Sequence, residues 1–313
     1  MFPALFALAL LGGTPEPWLG PLEVGSQAPS SIVRFAPSPR SAETLPRGRS
    51  RVSISGTWTN TWADTQWYHL DYEMLATEVR AAYGVEDGLE VEAAVVQRTL
   101  GGGIMDRPID EFHRALNLPD AGRPNAPRNQ LGVWILPTRT QPGFTLSAAD
   151  TDSSLARASV VKRLRDVADG GPAIAVSLDA QGETGSLPTP DLALGLTLSQ
   201  PFAGAVMHGG GFVTRVASTH SGTGLRLRPQ TAAGWLSLEL PITPNQEAFG
   251  QYLVSGGALP DYRVFSSASH ELSVGWKARL PAGYVVSAAF LENLFVMDNS
   301  PDWGWFGAIS RSF

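Results

Sequence analysis

Cysteine is absent from the 313-residue chain. Disulfide staples, thiolate nucleophiles and cysteine-based metal sites are therefore excluded, and the absence suits a chain that crosses an oxidising compartment. An excess of positive charge is missing too. Lys and Arg number 23 against 29 Asp and Glu, a formal charge of −6, which argues against a nucleic-acid partner because that partner calls for a basic face. No unbroken apolar run reaches the roughly 20 residues of a transmembrane helix. The ten-residue run Phe2 to Leu11 (FPALFALALL) has the length of a signal-peptide core, although no Lys or Arg precedes it. Residues 1–20 are expected to form a signal peptide with an uncertain cleavage site. Paired metal-ligand spacing is lacking among the five histidines, since none stands four residues from another beside carboxylates. No GxSxG elbow occurs, and in His220-Ser221 and Ser269-His270 adjacent strand residues would face opposite ways. Neither a metal, a cofactor nor a catalytic constellation is expected.

What is present is period two. Val52, Ile54, Trp58 and Trp62 share one parity, with Ser53, Ser55, Thr57, Thr59 and Thr61 on the other. The same alternation runs through Leu192, Leu194, Leu196 and Leu198, and through Leu272, Val274, Trp276 and Leu280. Such runs are strands with one apolar face. Counting the noisier runs gives twelve, and an even number is what a bacterial barrel requires. The connections alternate as well. Short turn sequences such as GVEDG, PFAG and PAG take turns with longer segments, the pattern of short periplasmic turns and long extracellular loops. The mean hydropathy of −0.03 does not oppose this, because a polar lumen and polar loops dilute an apolar outer face. The fold class is therefore all-β, a transmembrane antiparallel β-barrel of twelve strands over residues 51–313, with one long extracellular loop carrying a short helix. A soluble β-sandwich binding module is an alternative, but it has no reason to keep the loop parity. Residues 21–50, rich in Pro and with only Ile32, Val33 and Phe35 as an apolar cluster, are expected to be a disordered periplasmic lead-in, with a plug folded into the barrel as the less favoured alternative given so little to bury.

The barrel reading assigns places to particular side chains. Trp58, Trp62, Trp303 and Trp305 fall at loop ends and Tyr83 and Tyr284 at turn ends, as two interfacial girdles would. Phe313, a terminal aromatic, is the candidate barrel-assembly signal. The inward parity carries charges of both signs. On the early strands these are Glu78, Arg80, Glu90, Glu92 and Arg98. In the middle of the chain Arg157, Arg163, Arg165 and Asp179 follow, and Glu239, Glu271, Lys277 and Arg279 come later. Charges inside a barrel must be hydrated or paired, so they line either a narrow pore or a lumen locked by ion pairs. In the long loop, Ile109, Phe112 and Leu116 have helical spacing beside His113, and Asn117, Pro119 and Gly122 end the run. This helix is the candidate constriction or lid, and a surface loop that packs on the rim and shields it is the equal alternative.

Three stretches, SISGTWTNTW at 53–62, GGGIMDRPIDEFHRALNLPDAGRPNAPRNQ at 101–130 and LENLFVMDNSPDWGWFGAISRSF at 291–313, together resemble a proteobacterial outer-membrane β-barrel family, domain of unknown function 3187. The resemblance spans nearly the whole mature chain. It implies the fold and an outer-membrane location, and no reaction. Assembly signals of such barrels place an aromatic or apolar residue two before the final Phe, whereas here that residue is Arg311. The expected protein is a monomeric integral outer-membrane barrel with both termini periplasmic, and its partners are membrane lipids and the barrel-assembly machinery. Its expected function is a narrow passive pore or structural barrel. A lipid-modifying enzyme is the alternative.

Overall fold

The computed structural model describes residues 18–32, 34–117, 122–146, 152–169, 171–184, 190–221 and 224–313. The first seventeen residues of the expected signal segment lie outside them. Three strands come first: β1 (Ser50–Asp64), β2 (Tyr68–Glu86) and β3 (Leu89–Gly101). The long loop after β3 carries the helix α1 (Asp106–Leu116) and two short strands, β4 (Gly132–Ile135) and β5 (Phe144–Thr145). Nine strands follow: β6 (Asp152–Arg165), β7 (Ala173–Glu183), β8 (Asp191–Phe202), β9 (Ala205–Arg215), β10 (Gln230–Thr243), β11 (Gln246–Ser255), β12 (Ser269–Leu280), β13 (Tyr284–Asn293) and β14 (Trp303–Ser312).

Every barrel strand pairs antiparallel with its neighbours, and β14 returns to β1 in register from Arg51↔Ser312 to Asn60↔Trp303. Leaving aside β4 and β5, which extend the loop end of β2, the wall is a closed barrel of twelve strands. A single closed sheet replaces the sandwich alternative. Closure follows from alternation: each strand has an apolar face, and only a ring turns all those faces one way without leaving an edge. The outward faces are apolar and bare, with Leu194 64%, Ile54 55% and Val79 53% exposed. A continuous apolar band of this kind is covered by lipid and not by water. At the other end the turns are tight. Ala203 (φ 49°) and Gly204 (φ 82°) form the two-residue left-handed turn that suits the twist of a hairpin.

The lead-in expectation is corrected. Residues 18–32 and 34–45 run inside the barrel as an extended hairpin. The segment rises from the turn end beside β11 and β12, where the Leu22 amide donates to Gln251 Oε1 at 2.9 Å and the Gln27 amide to Glu271 Oε2 at 2.9 Å. It bends at Pro29–Ser31 near the loop end and descends past β7 and β8, where Arg40 meets Asp179 and the Ala42 amide donates to Ser199 Oγ at 2.9 Å. It enters β1 through Gly48, whose amide donates to the Gly84 oxygen. Leu22, Ala28, Phe35 and Ala42 are almost wholly buried. The segment has little apolar surface to bury, and extended chain needs little, because its amides and carbonyls are satisfied by wall side chains instead.

The loop end is covered by a second layer. Loops after β9 and β11, with the β4–β5 part of the long loop, pack Leu225, Leu227, Leu259, Tyr262 and Phe265 over Leu70, Tyr72 and Met74 of β2. Gln141 fastens three of these segments: its side-chain amide donates to the Arg226 and Pro260 carbonyls at 3.0 and 2.8 Å, and its oxygen accepts from the Arg226 amide at 2.9 Å.

Candidate functional site

The inward charges form the bed on which the hairpin lies. Glu23 of the hairpin pairs with Arg51 at 3.2 Å and Arg80 at 2.8 Å. Arg40 lies between Asp179 at 2.6 Å and Glu92 at 3.7 Å. Glu43 pairs with Arg163 at 2.6 Å. Wall carboxylates accept hairpin amides: Leu45 donates to Glu90 at 2.7 Å, and Gln27 and the Ser26 hydroxyl donate to Glu271. The Lys277 ammonium donates to the Gly20 and Pro21 carbonyls and lies 3.4 Å from Glu239. Arg98 donates to the Ile32 carbonyl at 3.4 Å, and the Arg157 guanidinium sits 5.8 Å from the Phe35 ring centre. Glu78 links Arg80 and Arg157 at 2.6 and 2.9 Å. Arg279 reaches Glu247 at 3.8 Å, and Glu247 accepts the hairpin's Leu19 amide at 3.3 Å. Arg165 ends β6 beyond the bulge at Arg163/Arg165.

Within the bed the structure brings Glu239, nominated as a luminal charge, together with Ser199 and His208, which sequence reading did not nominate. Ser199 of β8 stands directly opposite His208 of β9, with Ser Oγ 2.7 Å from His Nδ1 and His Nε2 3.4 Å from Glu239 Oε2. Ser199 and His208 lie nine positions apart across a tight turn, a pairing that only strand register reveals. The order is that of a nucleophile, a base and an orienting acid. All three are buried, and the Ser199 oxygen already accepts the Ala42 amide, while Trp18 packs edge-on to the His208 ring. With the hairpin in place the row acts as an anchor.

The lid expectation is corrected in its residues. Ile109 and Phe112 do not enter the lumen. They pack on Trp58, Phe290 and Trp303, which share the outward parity of Ile54 and Trp305, so α1 lies on the outer wall at the loop end. His113 is half-buried and Leu116 is 58% exposed. Asn117 does end the helix, in the left-handed conformation (φ 54°). The clamp is Arg123, buried, donating to Asn60 Oδ1 at 2.8 Å and Asp106 Oδ1 at 3.2 Å, and pairing with Asp302. Burial pushes the Asp302 carboxyl up to about 6, with the Arg123 guanidinium pulling the other way. The girdle expectation is corrected in part for the same reason. Trp62 and Trp303 are buried and Trp58 half-buried beneath this loop, whereas Trp305 and Tyr83 stand exposed and Tyr284 half-exposed. Phe313 is half-exposed at the turn end, its amide donating to the Ser50 carbonyl at 2.9 Å.

No curated protein matches the chain. Among solved structures, the COG4313 outer membrane channel from Pseudomonas putida F1 superposes with a TM-score of 0.55 at 9% identity, covering 87% of this chain and 98% of that one. The NanC porin superposes with a TM-score of 0.50 at 8% identity, covering 83% and 98%. At these identities the likeness is one of fold, the outer-membrane-type barrel. The sequence pattern of a family described as "Protein of unknown function (DUF3187)" matches residues 13–311, and the chain belongs to that family.

Proposed function

We propose that the protein is an integral outer-membrane channel whose lumen is closed by its own N-terminal hairpin and conducts when that hairpin is displaced. The loops face outward from the cell and both chain ends face the periplasm. The barrel works as a monomer among membrane lipids, after insertion by the barrel-assembly machinery. One observation carries this reading: the lumen is filled by a separate segment held through ion pairs and amide–carboxylate bonds. A barrel built only to stay shut would fill its centre with wall side chains, as small barrels do. The hairpin is also imperfectly satisfied. Arg34 is buried and faces the charge of Asp191, yet none of its guanidinium nitrogens has a hydrogen-bond partner among the described residues, a cost that favours a water-exposed alternative. Catalysis is not part of this reading, because Ser199 offers no open face while the lumen is closed.

Single-channel recording in planar bilayers tests it, comparing the refolded chain with a variant lacking residues 18–46. The full chain should show brief, infrequent openings, and the deletion a steady conductance several times larger. A deletion variant that inserts as a folded barrel and passes no ions would overturn the proposal.

A further inference from the structure

An apolar cavity of about 120 Å³ lies beneath the loops that cover the barrel mouth. Its walls come from five separate stretches of chain: Leu70 on β2, Leu100 at the end of β3, Ile135 and Phe144 in the long loop, Leu225 after β9, and Leu259 and Phe265 after β11. Pro29 and Ile32, at the bend of the luminal hairpin, complete it from below. Among the described residues no charged side chain lines it, and Ser30 and Tyr72 are the polar residues of its lining. The bed beneath it is held by ion pairs and amide–carboxylate bonds, so this chamber differs in kind from that bed.

Close packing is the norm in protein interiors, and voids larger than a water molecule are few. A void of this size walled by Leu, Ile and Phe forfeits dispersion contacts, and water does not fill it, because water needs two to four polar partners. An engineered cavity of about 150 Å³ with the same kind of lining stays dry and takes up benzene. We propose that the chamber is a binding site for one small uncharged apolar molecule the size of a single aromatic ring. Volume excludes larger ring systems. A carboxylate or an ammonium is excluded because nothing in the wall would pair with it. The hairpin bend forms the floor, so an occupant touches the element that fills the lumen. The site stands on its own geometry and does not require that the hairpin move.

Fluorine NMR with fluorobenzene as the probe tests this in detergent micelles, where partition into the micelle grows without limit and binding to the protein saturates. The expected result is a bound resonance that saturates at one fluorobenzene per barrel, with none for 4-fluorobenzoate or 1-fluoronaphthalene. Leu259→Phe and Leu225→Phe each place extra bulk in the chamber from a covering loop. Neither position belongs to the strand ladder, and heat-modifiable gel migration reports that the barrel has closed in each. Both should weaken the saturable component at least tenfold. No saturable resonance with the unaltered chain would overturn the proposal. So would an undiminished one in a closed barrel carrying either substitution, or equal binding of the naphthalene probe.

Discussion

Arg40 shows how one side chain can hold a segment in place. Its guanidinium lies between Asp179 and Glu92, with the Asp179 carboxylate almost wholly enclosed. Such a pair adds little net stability compared with an apolar filling, but removing one member leaves its partner buried and uncompensated. Arg40→Met keeps the length of the stem and deletes the charge. The loss for the seated hairpin is about 3 kcal/mol, roughly a hundredfold in the ratio of seated to displaced chain. It should appear as more frequent openings in single-channel records, at an open conductance unchanged from the rare openings of the parent. Openings as rare as the parent's would show that Arg40 carries no share of the seating. The charges on the wall were legible from sequence, because parity alone sends Asp179 and Glu92 inward. Their partner was not. Arg40 lies in a Pro-rich stretch with no period, and nothing in its neighbours tells which wall it meets.

At the level of elements, period determined what could be foreseen. Some barrel strands announce themselves by clean alternation and others only as noisier, glycine-rich or mixed runs, whereas α1 is announced by the spacing of Ile109 and Phe112. The side on which α1 docks had no such signal. Trp58, Phe290 and Trp303 occupy three strands, and the outward patch they make exists only once β1, β13 and β14 are adjacent. Outward aromatics could equally have met lipid headgroups, so the sequence leaves open whether the helix enters the lumen or packs on the rim. The hairpin escaped notice for the opposite reason. It binds largely through backbone amides, which every residue except proline carries. These placements separate two deletions. Removing residues 104–128 strips a helix and its Arg123 clamp from the outer wall, exposing Trp58 and Trp303, and should leave open-state conductance as it was. The measurement is single-channel recording of that variant with the hairpin also deleted, against the hairpin deletion alone. A conductance increased by the second deletion would put part of 104–128 in the ion path.

Over the whole molecule, wall and hairpin are held by different forces. The wall owes its closure to an unbroken ladder from β1 round to β14, and its outer face to lipid, so neither depends on what lies inside. The hairpin is held by charge and amide contacts to groups that water can solvate equally well once the lumen floods. Deleting residues 18–46 therefore exchanges protein partners for water at Glu90, Asp179, Glu271 and Lys277, instead of stranding them in a dry interior. Apolar loss is confined to a few side chains such as Leu22 and Phe35, each contributing about 1.5–3 kcal/mol when fully buried. The deletion variant should still fold in detergent and keep the faster unboiled migration of a closed barrel. Its shift to the boiled position should come at a lower temperature, because the ties that link wall strands through the hairpin, Arg40 to β3 and β7 and Glu23 to β1 and β2, are gone. The full chain and the deletion, heated side by side in steps and run on one gel, give both readings. Failure of the deletion to migrate as a barrel at any temperature would mean that the hairpin is a structural core of the wall, and a fixed core cannot be the part that moves.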